Sequence, residues 1–183
     1  MRHNRRSIRL SGYDYSRAGL YFVTICAWNR ECLFGHVVNG QMVLDDSGRT
    51  VMSQWLNTPV LRPNAALDEF IVMPNRVHGI VVILKRGRGV LQYAPTGPRS
   101  PSQTIGAVLR GFKSATTKQI NESRNTPGGR VWQRNYYEHI IRNDDELNRI
   151  REYIVDNPAQ WETDRENPNV VVKADFKPAP QLA

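Results

Sequence analysis

Two pairs of residues carry side chains that could do chemistry together. Arg76 and His78 lie two apart in the run RVHGIVVIL, and residues two apart on a strand share a face. Tyr153 and Asn157 lie four apart just before Pro158, so on a helix they would lie on the same side. An imidazole and an amide oxygen could hold a metal ion, and a metal could help a tyrosine hydroxyl act as a nucleophile. This set would suit phosphodiester cleavage, although a packing tyrosine and a plain helix stop explain the second pair as well.

The first pair lies in residues 69–84, where two apolar runs flank the turn residues Pro74 and Asn75. Valine, isoleucine and phenylalanine dominate both runs, which predicts two paired, buried strands. On the second strand Arg76, His78 and Ile80 would share one face. The pattern therefore predicts a cation and an imidazole side by side on a rigid surface. From spacing alone a strand end with one polar outer face is the simpler explanation, and a functional role needs a partner from elsewhere in the chain.

The other elements follow from apolar periodicity and turn residues. Residues 19–28 predict a central strand and residues 131–141 another strand, while Asn39-Gly40 predicts a hairpin over 35–44. Three helices are predicted: one over 45–56 that ends at Pro59 and Pro63, one that begins at Ser102, and one over 143–157. Their predicted inner stripes comprise Val51, Met52 and Trp55; Ile105, Val108, Leu109 and Phe112; and Leu147, Ile150 and Ile154.

The order of these elements is strand, hairpin, helix, strand, strand, helix, strand, helix. Strands and helices do not alternate one for one, which favours an α+β fold over a parallel doubly wound sheet. We expect an antiparallel sheet with helices packed on one face.

Charge is the most informative feature of the composition. The chain has 183 residues, a net charge of +8 and a pI of about 9.9, which favour a polyanionic partner. Two cysteines and no long apolar run predict a cytoplasmic protein without a disulfide framework or a membrane partner. Solvated segments would explain the basic residues as well as DNA contacts would. The candidate DNA-binding residues are Arg5, Arg6, Arg9, Lys85, Arg86, Arg88, Lys113, Arg134 and Arg142.

Five sequence segments together resemble the REP-associated tyrosine transposases, a branch of the single-tyrosine HUH (IS200-like) transposases. They are SIRLSGYDYSRAGLYFVTI, FIVMPNRVHGIVVI, TIGAVLRGFKSATTKQIN, VWQRNYYEHIIRNDDELNRIREYI and the Asn157-Pro158 pair. The resemblance covers about residues 7–161. It implies a ferredoxin-like sheet, which we place in a domain over 1–161. Three prolines and few large apolar residues in 168–183 predict a loosely held tail, which we place over 162–183.

The resemblance also implies a function. It implies a monomer or homodimer that binds single-stranded or hairpin-forming DNA, and that cleaves and rejoins single strands through a 5′-phosphotyrosine with Mg²⁺ or Mn²⁺. By position, Tyr153 corresponds to the nucleophile, and His78 and Asn157 correspond to metal ligands. Tyr136 and Tyr137 are rival nucleophiles, although stacking against bases suits them better.

Arg76 departs from the family pattern, because it stands where the first metal-ligating histidine is expected. A guanidinium has no lone pair to give to a cation. The site could be inactive and leave a DNA-binding protein, Arg76 could itself hold the scissile phosphate, or Glu138 or His139 could complete a shifted metal site. An RNA binder that uses the sheet surface is a further alternative, but no strand carries the glycine- and aromatic-rich string typical of that class.

Overall fold

The protein was analysed as a computed structural model, which describes residues 17–84 and 104–170. The strands are β1 (Gly19–Cys26), β2 (Gly35–Val38), β3 (Gln41–Leu44), β4 (Ala65–Met73), β5 (Arg76–Ile83) and β6 (Tyr137–Ile141). The helices are α1 (Asp46–Leu56), α2 (Thr58–Leu61), α3 (Ile105–Arg124) and α4 (Asp144–Asp156). Two 3-10 segments, Trp28–Arg30 and Pro158–Thr163, complete the described elements. None of the helices in these ranges is long and apolar enough to cross a membrane.

The central sheet has four antiparallel strands in the order β4-β5-β1-β6. With the β2–β3 hairpin set aside, this is the ferredoxin-like sheet that the family resemblance implied. The register pairs Thr24 of β1 with His78 of β5 and with Tyr137 of β6. Residues that are directly paired across strands lie on the same face of a sheet, so these three lie together.

The two faces of the sheet bury different clusters. On one face, Val23, Val77 and Val81 pack against Trp55 of α1 and Phe112 of α3 in the main core. On the other face, Phe22, Ile80 and Ile141 pack against Ile154 of α4 in a smaller cluster. The expectation of helices on one face only is therefore wrong, because α4 covers part of the second face with its own apolar stripe.

Other details differ from the sequence predictions. Pro59 does not end helical structure but lies in the first turn of the short helix α2, where its missing N–H costs nothing. Met52 is exposed rather than part of the inner stripe of α1. Thr104 caps α3 through its side chain, whereas Ser102 lies outside the described residues.

The strand predicted over 131–141 begins only at Tyr137. Before it, Ala27 and Trp132 form an isolated bridge. The Lys113 ammonium donates hydrogen bonds to the backbone carbonyls of Gln133 and Arg134. Those carbonyls are therefore engaged by a side chain of α3 instead of a neighbouring strand.

The chain after α4 folds back over the second face. Trp161 and Asn167 are buried, and the Asn75 side chain donates a hydrogen bond to the carbonyl of Glu166. Residues 162–170 thus lie against the sheet, and residues 171–183 lie outside the described residues. The domain boundary at 161 stays a prediction.

Candidate active site

Helix α4 places Tyr153 over the second face of the sheet. Asn143 caps the helix by accepting a hydrogen bond from the Glu146 N–H. Three acidic residues in the first turn stabilise the helix further, because their negative charges interact with the positive end of the helix dipole. Ile154 points into the small apolar cluster. The adjacent Tyr153 is 44% exposed, at the edge of a cleft.

An ion pair fixes α4 on its own sheet. The Arg151 guanidinium donates to both carboxylate oxygens of Asp68, at 2.8 Å from Nε and 2.6 Å from Nη2. Asp68 lies at the irregularity of β4 between Leu67 and Phe70. Hydrogen bonds from Arg151 are the main cause that lowers the pKa of Asp68. These two hydrogen bonds hold α4, which carries Tyr153, beside β4 of the same chain.

The Tyr153 ring lies close to the residues predicted to act with it. Its centroid is 5.4 Å from the His78 ring and 6.0 Å from the Phe22 ring, in edge-to-face arrangements. The structure thus brings Tyr153 and His78 together on one side of the sheet. Asn157, one helical turn later, is also buried.

Arg76 forms the centre of this group and is only 2% exposed. Its Nε donates to Nε2 of His78 at 2.7 Å, and its Nη2 donates to Oδ1 of Asn157 at 2.8 Å. It also forms an ion pair with the partly buried Asp164, and its guanidinium lies 5.4 Å from the centre of the Trp161 ring. A fixed cation therefore contacts both residues that were predicted to ligate a metal.

The hydrogen bond from Arg76 determines the protonation state of His78. Because Nε2 accepts that bond, Nδ1 carries the imidazole proton and donates it to Oγ1 of Thr24 at 2.8 Å. Burial first, and the adjacent Arg76 charge second, lower the pKa of His78 to about 3. His78 is therefore neutral at physiological pH, and its lone pair is engaged by Arg76.

The donor set does not fit a divalent cation. The unprotonated nitrogen of His78 accepts a hydrogen bond from the Arg76 guanidinium, so its one lone pair is not free for a metal. The same guanidinium contacts the side-chain oxygen of Asn157, so a metal ion there would lie beside a fixed positive charge. Among residues 17–84 and 104–170, no three histidine, cysteine, aspartate or glutamate residues form a group that could hold one.

The shifted site proposed from the sequence finds little support in the geometry. His139 lines the cleft, but its Nε2 is hydrogen-bonded to Glu146 at 2.7 Å. Glu138 is paired with the core residue Val23 and so lies on the opposite face. Glu138 therefore does not share the face of His78, and the Nε2 of His139 is already engaged by Glu146.

The cleft around this centre has a volume of about 640 Å³. Its floor is the second face of the sheet, and α4 forms one wall. Burial raises the pKa of the Cys26 thiol, which keeps this sulfur protonated. The lining comprises Phe22, Thr24, Cys26, Arg30, Arg76, His78, Tyr137, His139, Glu146, Arg149, Ile150, Tyr153, Asp164 and Glu166.

The structure separates the two rival tyrosines. Tyr137 is exposed and lines the cleft, and its ring lies edge-on to Phe22 at 6.2 Å. Tyr136 packs against the main core. Only Tyr137 of the two therefore lies on the same surface as Tyr153.

Of the predicted DNA-binding cations, the structure describes Lys113, Arg134 and Arg142, and these three do not line the cleft. Arg142 and Arg134 are exposed, and Arg134 lines a separate groove that also contains Lys113. Burial lowers the pKa of Lys113, whose ammonium is engaged by backbone carbonyls. Arg5, Arg6, Arg9, Lys85, Arg86 and Arg88 lie outside the described residues.

Sequence reasoning missed Asp164 and Thr24, which hold Arg76 and His78. Thr24 could have been found by alternation along β1, since it is the polar residue that faces the same side as Phe22. Asp164 gives a weaker signal. A buried arginine requires an anion, but Asp164 is one of several acidic residues in the stretch ETDRE after Trp161.

The fold is similar to that of a solved transposase. A solved REP-associated tyrosine transposase, bound to a REP hairpin, superposes with a TM-score of 0.52 at 19% sequence identity. The match covers 87% of this chain and 74% of that one. The resemblance found in the sequence is thereby confirmed at the level of the fold.

Sequence comparison places the chain in a family. A Haemophilus influenzae Rd protein, described as uncharacterized, is 45% identical over 169 residues, which span 89% of this chain and 93% of the relative. The chain belongs to the same family as that protein. No family model matches the chain.

Proposed function

We propose that this protein binds hairpin-forming single-stranded DNA in the cleft, and that metal-dependent strand cleavage is impaired. The observation that carries the proposal is the position of Arg76 between His78 and Asn157. The protein would be a transposase-like DNA-binding protein that keeps the tyrosine of a cleavage site, while Arg76 replaces one metal ligand and contacts the other two.

Charge and aromatic rings support DNA as the partner. The net charge of +8 favours a polyanion. Tyr137 and Tyr153 present exposed rings on the same cleft as Arg149, and exposed aromatic rings beside cations suit the stacking of unpaired bases. The transposase of similar fold was solved with a REP hairpin, which supports the same class of ligand here.

Burial and pairing argue against a catalytic role for Arg76. Its donors point to His78, Asn75, Asn157 and Asp164. To contact a scissile phosphate, the guanidinium would have to leave Asp164, whose carboxylate balances its charge. Breaking a buried ion pair costs about 3–5 kcal/mol, so neither a metal nor a phosphate readily replaces these contacts.

A second candidate function is strand cleavage through Tyr153, favoured by its exposure beside His78. In that reaction the tyrosine oxygen would form a bond to phosphorus, and the bond from phosphorus to the 3′ oxygen would break. The tyrosine would lose its proton and the departing 3′ oxygen would gain one. His78 is a poor base for this step, because its lone pair is engaged by Arg76 and its pKa is lowered to about 3.

The test compares three proteins on one substrate, a single-stranded oligonucleotide with a flanking hairpin. Wild type, Arg76→His and Arg76→His with Tyr153→Phe would be titrated with Mn²⁺. Binding would be followed by fluorescence anisotropy and covalent adduct on a denaturing gel. We expect wild type to bind and form little adduct. Arg76→His should bind and form an adduct, and the double variant should bind without one.

Each part of the proposal has its own contradicting result. Absence of DNA binding by wild type would overturn the proposed ligand. A strong Mn²⁺-dependent adduct with wild type, lost in Arg76→His, would show that arginine is a working part of a cleavage site. Mn²⁺ binding by Arg76→His would be measured separately by electron paramagnetic resonance, with wild type as the control.

A further inference from the structure

A second concave surface lies beside the cleft, between α3 and residues 129–134. We call it the α3 groove, and its volume is about 450 Å³. Its cations are Lys113, Lys118, Arg130 and Arg134, and none of the described residues that line it is acidic. Lys118 pairs with Glu122, which lies one helical turn later and outside the lining. Ser114 and Thr117 add hydroxyl groups to the same wall.

Two contacts order the groove. The Lys113 ammonium donates to the carbonyls of Gln133 and Arg134, and so joins the 133–134 backbone to α3. The Arg130 guanidinium lies 4.6 Å from the centre of the Trp28 ring. Exposed Arg130 is therefore held in place before a ligand arrives, which lowers the entropy lost on binding.

The groove and the cleft share a backbone boundary. Trp132 lines the groove and pairs with Ala27, while the Gln133 N–H donates to the carbonyl of Cys26, which lines the cleft. The segment Trp28–Arg30 links them a second time. Its Trp28 contacts Arg130 of the groove, and its Arg30 lines the cleft.

The chemistry of the groove suits phosphates better than bases. Arginine, lysine and hydroxyl groups are the usual donors to phosphate oxygens. The Trp132 indole is buried and its N–H donates to Thr116 at 2.8 Å, so its ring is not presented for stacking. A ligand here would be held by its backbone, without base recognition.

We propose that the α3 groove binds the phosphates of the DNA strand that continues out of the cleft. This inference rests on the proposed function, because the strand must first enter the cleft. The groove then determines the length of single strand that the protein contacts. It adds affinity without sequence preference, because it contacts phosphates and not bases.

The test uses two hairpin oligonucleotides that differ only in their single-stranded extension, which is about 4 nucleotides in one and about 16 in the other. The variant is Arg130→Gln with Arg134→Gln. The matched control is Arg49→Gln with Arg124→Gln, which removes the same charge from exposed positions outside the lining of both cavities. Thermal unfolding would confirm that each variant is folded.

For the groove variant we expect affinity for the long extension to fall roughly tenfold. The slope of log affinity against log salt concentration should become shallower by about 1 to 2, because two phosphate contacts are lost. Affinity for the short extension should change less than twofold, and the control variant should bind both as wild type does. Equal losses on both oligonucleotides, or equal losses in the control, would overturn the groove proposal. Failure of wild type to bind either oligonucleotide would instead overturn the proposed function.

Discussion

β5 gives one face of the sheet Val77, Gly79 and Val81, and gives the other face Arg76, His78 and Ile80. On the first face, Trp55 and the helices α1 and α3 form a large apolar core. On the second, a guanidinium, an imidazole and an amide are buried beside an open cleft. Both sets are buried, but the first depends on shape and the second on hydrogen bonds and charge. Different substitutions and conditions should therefore destabilise the two faces.

The largest effect is expected from the polar face. Arg76→Met should lower the free energy of unfolding by about 3–5 kcal/mol, because it leaves the partly buried Asp164 without its cation. Urea unfolding at pH 7 would measure the change. Adding Asp164→Asn should recover part of the loss.

An exposed ion pair provides the control for this prediction. Arg49 pairs with Asp46 at the surface, and Arg49→Met should cost about 1 kcal/mol or less. Equal losses for Arg76→Met and Arg49→Met would mean that the buried centre contributes no more than a surface pair.

The apolar face should be destabilised by added side-chain volume, because its core is closely packed. A Cβ at Gly79 would lie 2.5 Å from the Trp55 ring, so Gly79→Ala should cost about 1–3 kcal/mol through overpacking. At Gly19 an added Cβ meets its nearest neighbour, the Tyr21 ring, at 3.7 Å, and Gly19→Ala should change stability by less than about 0.5 kcal/mol. Denaturant midpoints of the two variants give the comparison, and a stable Gly79→Ala protein would show that Trp55 can move.

The smallest effect is a pH dependence confined to the polar face. The folded pKa of His78, about 3, lies below the usual value near 6.5, so the unfolded chain binds the proton more readily. Stability from this group is complete above about pH 6.5 and falls as the pH drops toward 3, by about 1 kcal/mol between pH 6 and pH 5.

His78→Gln isolates that dependence, since glutamine can accept from Arg76 without titrating. The difference in unfolding free energy between wild type and variant should shrink from pH 7 to pH 5. A constant difference would mean that His78 does not titrate differently in the folded and unfolded states.

The fold could be predicted because its signals are local. The alternation of β5, the Asn39-Gly40 turn and the apolar stripe of α3 each identify one element, and the element order then gives the sheet. The predicted strand over 131–141 starts too early in the chain. Lys113, 20 residues before Gln133, donates hydrogen bonds to the carbonyls of Gln133 and Arg134, which a neighbouring strand would otherwise use.

The candidate site was predictable only as a set of residues. Shared faces of one strand and one helix were enough to pair Arg76 with His78 and Tyr153 with Asn157. That Arg76 would contact both predicted ligands could not be derived, because it depends on Asp164 and on the path of the chain beyond Pro158. Neither has a periodic signal in the sequence.

The alternation along β5 also bears on which insertions and deletions the gene can tolerate. A one-residue deletion inside β5 would exchange the faces of every residue beyond it. Upstream of His78, such a deletion would point the imidazole at Trp55. The β2–β3 hairpin carries no part of either face of the central sheet, so length changes at its Asn39-Gly40 turn would leave this alternation intact. Length variation in the family should therefore concentrate in the hairpin and be absent from β5.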